Sequence, residues 1–412
     1  MASSLTWLDY SERDRRRALT VIGIFRETGT MDELGLAAVR DSFADLFFPG
    51  TSTIQTRACY FLLVPWAFQR LERNRVASET AAQKARQAEL DLNRRLRTGG
   101  DTRGVFGAQA GDSLKRLPSE VYWGGLGSWG IRAFPGHQWA YFRSLDGFYR
   151  GATRFRSTPR DPEGKTAPPT NWHPHLPEPP SGFPYENVSV ALRREDAEYL
   201  RDRVQARHPE SLLGVLAGRA ERADLEPDWP WKLSQLPGVS CVLRHRLDDA
   251  RLFSICMHGA ALLYNLMLAE LRKHEKWIGT YQRELNEWAT DVETLKSRLV
   301  DWELEGVWSV VRAQGRSVSY PMQCFAQHWV EHLSRNGPEA VVQRDSPARR
   351  LVREREIQLK RSRARLPNPR RLELWGGRSG TDRLTYRWGA ARRILGDIFD
   401  GLTRSEDDAR DA

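Results

Sequence analysis

The sequence predicts a mainly α-helical, multi-helix protein in two domains with few short strands. Three observations carry that expectation. Apolar residues recur at three- and four-residue intervals through most of the chain, Gly and Pro clusters punctuate those stretches at helix-like lengths, and strand signals are confined to 187–192, 239–243 and 371–375.

From the N-terminus, Ser11-Glu12-Arg13-Asp14 offers a helix cap with early acids ahead of Ala18, Leu19, Val21, Ile22 and Phe25, and Gly29 closes that helix. Thr30-Met31-Asp32-Glu33 has capping-box spacing before Leu34, Leu36, Val39, Phe43 and Phe47, and Pro49-Gly50 ends this second helix. Thr51-Ser52-Thr53 is expected to cap a third, carrying Ile54, Ala58, Phe61 and Leu62, with Pro65 kinking or ending it near Phe61. Residues 69–97 read as one polar, charge-mixed helix, followed by the glycine-rich interval 99–111. The stretch LKRLPSEVYWGGLGSWGIR (114–132) has the basic approach and early proline of a winged-helix element. Gly124, Gly125 and Gly127 weaken that likeness, each costing about 1 kcal/mol against Ala in a helix interior. Lys115 and Arg116 are where phosphates would sit, but Tyr122, Trp123 and Trp129 are too many aromatics for a groove-facing surface and favour an internal helix.

Nine prolines in 159–184 exclude a regular core element and predict a linker or surface loop over 159–186. Helical spacing resumes over 194–205 and 210–220, then in a long apolar helix over 248–273. It continues through 277–314, where Trp288, Val292, Leu295, Leu299, Trp302, Val307 and Val310 fall at near-heptad intervals. Antiparallel packing of the last two would form the core of a second domain. The expected organisation is a helical domain over 1–158 with the winged-helix-like element, the proline-rich segment 159–186, a helical domain over 187–345, and a basic region with an acidic tail over 346–412.

A chain of 412 residues with 40% hydrophobic content is too long for one core and too apolar for wholesale disorder. The longest apolar run, 58–68, contains Pro65 and is too short to span a bilayer, while 254–268 carries His258 and Asn265 and reads as a buried helix. The opening MASSLTWLDYSERDRRR has no signal-like apolar core, so a cytoplasmic location is expected. Cys59, Cys241, Cys256 and Cys324 are dispersed and form no CxxC pair, which argues against a disulfide framework or zinc ribbon.

Charge is the most informative feature. The formal net charge is +10, yet the window 349–371 alone holds ten Arg/Lys against Glu354 and Glu356, leaving the rest of the chain near neutral. Arg349, Arg350, Arg353, Lys360, Arg361, Arg363, Arg365, Arg370 and Arg371 are the expected nucleic-acid contacts, because gathered guanidinium groups are commonly neutralised by phosphates. Trp375, Tyr386 and Trp388 lie close enough in sequence to stack on bases. The competing reading is a solvated helix, or one matched by acids of a partner or of the tail Glu406-Asp407-Asp408. Internal matching of the arginines by the chain's own carboxylates would remove the assignment.

Other constellations are weaker. Thr51, Ser52 and Thr53 at a helix start, with Arg57 one turn on, make a candidate anion site, though ordinary capping explains the same residues. His173 and His175 flank Pro174 in a loop, and His328 and His332 stand four apart with no evident third ligand, so no metal site is assigned. No phosphate-binding G-x-x-x-x-G-K-[ST] loop or G-x-S-x-G elbow occurs, and Gly376-Gly377-Arg378-Ser379-Gly380 lacks the lysine. Asp291, Glu293 and Lys296, and Glu356 with Lys360, faintly resemble nuclease carboxylate–lysine sets but match routine surface pairing on helices. No catalytic residue and no cofactor is assigned.

The blocks WLDYSE (7–12), TMDELGLAAVRDSFADLFFPGTSTIQTRACYFLLVPW (30–66), LKRLPSEVYWGGLGSWGIR (114–132) and RLTYRW (383–388) resemble an uncharacterised bacterial family of unknown function. The resemblance spans nearly the whole chain and brings no assigned activity. It implies a setting in phage-defence gene neighbourhoods beside helicases and phospholipase-D-like proteins. The expected function is thus a non-catalytic, nucleic-acid-binding subunit, DNA being the expected ligand, acting with a helicase or nuclease and away from membranes. The alternatives are a metal-dependent nuclease with a dispersed carboxylate site or a protein-interaction scaffold.

Overall fold

The computed structural model describes residues 32–98, 101–107, 114, 116–157, 169–186 and 188–404. The helix expected over the first 29 residues therefore lies outside the described residues, as do Lys115 and the acidic tail. Fifteen α-helices are described: α1 (Ala37–Phe47), α2 (Tyr60–Arg73), α3 (Ser78–Thr98), α4 (Pro118–Ser128), α5 (Gln138–Ser157), α6 (Arg194–Arg207), α7 (Leu212–Arg219), α8 (Cys241–Leu271), α9 (Glu275–Glu293), α10 (Lys296–Val300), α11 (Glu305–Ala313), α12 (Tyr320–Asn336), α13 (Pro347–Lys360), α14 (Pro369–Leu372) and α15 (Trp388–Leu402). Among the described residues the only β pairing is an isolated bridge between Arg132 and Trp172. The three short strands expected from sequence do not form: α8 begins at Cys241, α14 covers 369–372, and 188–192 runs without a strand partner. Among the described residues there is thus no strand pair to form the wing of a winged helix.

The chain divides into two compact units, one of residues 1–43 with 248–384 and one of 44–247 with 385–412. In the second of these, α2 is buried on every side from Tyr60 to Phe68, which a helix tolerates only inside a core. Pro65 lies within α2 and does not end it, and the helix starts at Tyr60, later than the threonine-rich turn predicts. The polar helix expected over 69–97 is broken after Arg73, where Arg75 takes a left-handed φ of 49° before α3 restarts at Ser78. In α4, Pro118 opens the helix, the Glu120 carboxylate accepts from the Leu117 N–H at 3.3 Å, and Tyr122 and Leu126 are fully buried. Its glycines have a use: a Cβ on Gly125 would collide with the Gly50 carbonyl and Phe61. The described part of the proline-rich segment is a loop tied to this unit, with Trp172 buried and its indole donating to Glu72 at 3.0 Å.

In the other unit the residues of α8 from Asp248 onward form the core, with Phe253, Met257, Ala260, Leu263 and Tyr264 at 0% exposure. By length and composition α8 could cross a membrane, yet 89% of its most apolar stretch is buried inside the fold. Two indoles pin it: Trp288 of α9 donates to the Ile255 carbonyl and Trp329 of α12 to the Cys256 carbonyl, both at 2.8 Å. Gly259 leaves the space that the Trp288 ring fills. The continuous helix expected over 277–314 is three pieces, α9, α10 and α11. Thr294 turns its hydroxyl onto the Asp291 carbonyl at the first break, and Trp302, at the second, donates its indole to Asp249 at 3.0 Å.

Candidate nucleic-acid interface

Helix α13 begins where Ser346 accepts from the Ala348 N–H and Pro347 supplies the first helical φ. Ala348, Val352, Arg355 and Glu356 form its buried face, which lies against α12. Arg350, Arg353 and Glu354 point to solvent. Past Lys360 the chain turns at Arg361, whose φ of 52° is left-handed, and a short 3-10 turn over Arg361–Arg363 leaves both arginines exposed. Ala364 then buries, Asn368 caps α14 through the Arg370 and Arg371 N–H groups, and those two side chains are again exposed.

This path splits the basic residues into two classes. Arg349 forms a two-pronged ion pair with Glu270, at 2.6 and 3.0 Å. Arg355 is 5% exposed and donates to the Leu34 carbonyl at 2.8 Å; burial lowers its pKa, with Asp32 opposing. Gly35, at a φ of 81°, leaves room for that guanidinium where any Cβ would clash. Lys360 pairs with Glu33 and Glu356, and Arg365 donates to Glu33 at 2.8 Å. Glu356, at 0% exposure, accepts from the Tyr264 hydroxyl at 2.6 Å, the Arg365 N–H at 2.8 Å and the Leu366 N–H at 2.9 Å. Two buried carboxylates thus meet two cations, a balance that low dielectric demands. Burial, with Glu33 and Glu356 adding to it, pushes the Tyr264 pKa far up.

The sequence expectation is corrected accordingly. Three of its nine contact residues, Arg349, Lys360 and Arg365, face inward onto the chain's own carboxylates and are not available to phosphates. The Glu356–Lys360 pair, read as routine surface pairing, lies in the interior. The other six, Arg350, Arg353, Arg361, Arg363, Arg370 and Arg371, are exposed. Among the described residues, the one carboxylate within ion-pair distance of any of them is Glu354, 3.9 Å from Arg350 and itself exposed. Beside α13 a groove of about 650 Å³ adds Arg344, which lies outside the window that charge counting singles out. Trp375, Tyr386 and Trp388 are at most 2% exposed and cannot stack on bases; the Trp375 indole donates to Asn265 at 3.0 Å.

The remaining candidates fall elsewhere. Thr51-Ser52-Thr53 opens no helix, and Thr51 turns its hydroxyl onto the Phe48 carbonyl at 2.6 Å. Arg57 is committed to Asp397 at 3.1 Å and Asp101 at 3.0 Å, and Asp397 also accepts the Ala58 N–H at 2.7 Å. His173 meets Arg203 at 2.7 Å. His332 is buried beside Asn336 while His328 is exposed, so the helical histidine pair does not converge. Among the described residues no group of three or more His, Cys, Asp or Glu could hold a metal ion. Glu33 and Glu270 are the residues that sequence reasoning missed, since neither lies near the basic window and only the fold brings them to it.

A family model described as "Family of unknown function (DUF6361)" matches residues 2–401. No curated protein and no solved structure matches the chain.

Proposed function

We propose, from the premise that the chain belongs to the DUF6361 family of unknown function, that the exposed arginines of α13, α14 and the turn between them bind nucleic acid. The protein then acts as a non-catalytic subunit beside a helicase or nuclease in an anti-phage complex. One observation carries the binding: within a single basic stretch, four cations are satisfied internally while six arginines face solvent, with Glu354, itself exposed and 3.9 Å from Arg350, the one carboxylate paired with them among the described residues. Unneutralised guanidinium groups at that density favour a polyanion, and each phosphate bound releases counterions. Arg361 adds support, because it holds a positive φ of 52° with a ψ of −122°, a sparsely populated conformation that costs a non-glycine residue about 1 kcal/mol or more, while its side chain stays exposed. The helicase or nuclease partner and the defence setting rest on the resemblance of the four sequence blocks.

The test is fluorescence anisotropy with labelled DNA, comparing the protein with a variant carrying Gln at positions 350, 353, 361, 363, 370 and 371. Binding by the native chain and its loss in a folded variant is the expected result. Equal binding by both sinks the assignment. Cleavage of the DNA on adding Mg²⁺ or Mn²⁺ would place the protein among nucleases instead.

A further inference from the structure

The groove beside α13 is more than a row of cations. Met267 and Leu271 at the end of α8, together with Leu366, give it an apolar wall, and Arg344, Arg350 and Arg353 stand along it, outnumbering the one exposed carboxylate of the lining, Asp345. Leu271 is 53% exposed, an apolar surface left open beside arginines. Arg349 takes no part as a free cation, since Glu270 holds it in place and it serves to fix the groove's shape.

A duplex presents its phosphates on a convex surface and its base faces to one another, so exposed arginines suffice to bind it and an apolar hollow gains nothing. An unstacked base is different. It offers a flat face with little polar surface, and in single-stranded binding that face is set against apolar side chains or guanidinium planes while the flanking phosphates meet cations. A hollow of about 650 Å³ is in the range of ligand sites and takes one nucleotide with space to spare. From this juxtaposition we infer that the groove seats a base of single-stranded nucleic acid against Leu271, Met267 and Leu366, with the adjoining phosphates on Arg344, Arg350 and Arg353. The inference rests on the nucleic-acid reading above and narrows it to unpaired strands.

The experiment measures anisotropy with single-stranded oligothymidylate and with an abasic strand of the same length and phosphate count, on the native chain and on Leu271→Ser. Leu271 is exposed, so the variant keeps its fold, which circular dichroism checks. The native chain is expected to bind the base-bearing strand on the order of tenfold tighter, the factor that about 1.4 kcal/mol represents, and Leu271→Ser to bring the two strands level by weakening only the base-bearing one. Equal affinity of the native chain for both strands overturns the base seat and leaves the arginine assignment standing. A base preference that survives in Leu271→Ser overturns the placement in this groove. Absence of salt-sensitive binding to either strand overturns both readings.

Discussion

Replacing Glu356 by Ala is expected to destabilise the unit built on α8 by about 4 kcal/mol, within the range for breaking a buried ion pair. The figure follows from what the carboxylate does. It is fully buried and accepts from the Tyr264 hydroxyl and the Arg365 and Leu366 N–H groups, so its removal orphans three donors. A buried donor left without an acceptor costs about 1–3 kcal/mol, and Glu33 would be left alone with two cations, Lys360 and Arg365. Partial collapse and water entry offset some of that sum. Glu356→Gln keeps the shape and one acceptor but not the charge, and about half the loss is expected. Urea unfolding followed by tryptophan fluorescence reads both, with Glu354→Ala as the exposed control. A loss below about 1 kcal/mol for Glu356→Ala, or one no larger than the control's, would refute the claim that the basic stretch is anchored from inside.

Two further outcomes follow from the same structure. Arg361→Gly relieves the strained positive φ at that turn and should raise stability by about 1 kcal/mol while weakening DNA binding; a fall in melting temperature would contradict the first half. Burial pushes the Glu89 carboxyl up to about 7, against hydrogen bonds from Ser119 at 2.8 and 2.6 Å. An acid whose pKa is higher folded than unfolded keeps its proton longer in the native chain, so its contribution is most favourable below the ordinary glutamate value of 4.5 and declines as pH rises to about 7. Glu89→Gln cannot ionise and should lose that decline, with the variant's melting temperature gaining on the native one across this window and holding level above it. Parallel pH profiles would show that Glu89 ionises as freely as a surface carboxylate.

Helix was legible wherever one face alternates at helical spacing. In α13, Ala348, Val352 and Glu356 recur every fourth residue, and in α8 the apolar run leaves little else to choose. Interruptions were less so: nothing in the apolar spacing of Trp288 through Val310 marks the breaks, because the first depends on a local polar contact, Thr294 on Asp291, and the second on Asp249, which is distant in sequence. The candidate site was half legible. A charge count finds the basic window but cannot sort it, since Arg349 and Arg350 differ only in which way the helix turns them and in whether Glu270 waits there. Arg365 and Lys360 face inward because Glu33, more than 320 residues away in the chain, is folded against them. Tryptophans near the arginines suggested a stacking platform, yet Trp375 was needed for the core and for Asn265.

The salt dependence of binding to a single-stranded oligonucleotide tests the central claim most directly. Six arginines on six phosphates give a slope of log affinity on log salt of about −4, or about a 300-fold loss between about 50 and 200 mM, and replacing Arg361 and Arg363 should flatten the slope by about 1.4. A slope near zero, or one that the double replacement leaves unchanged, would contradict it.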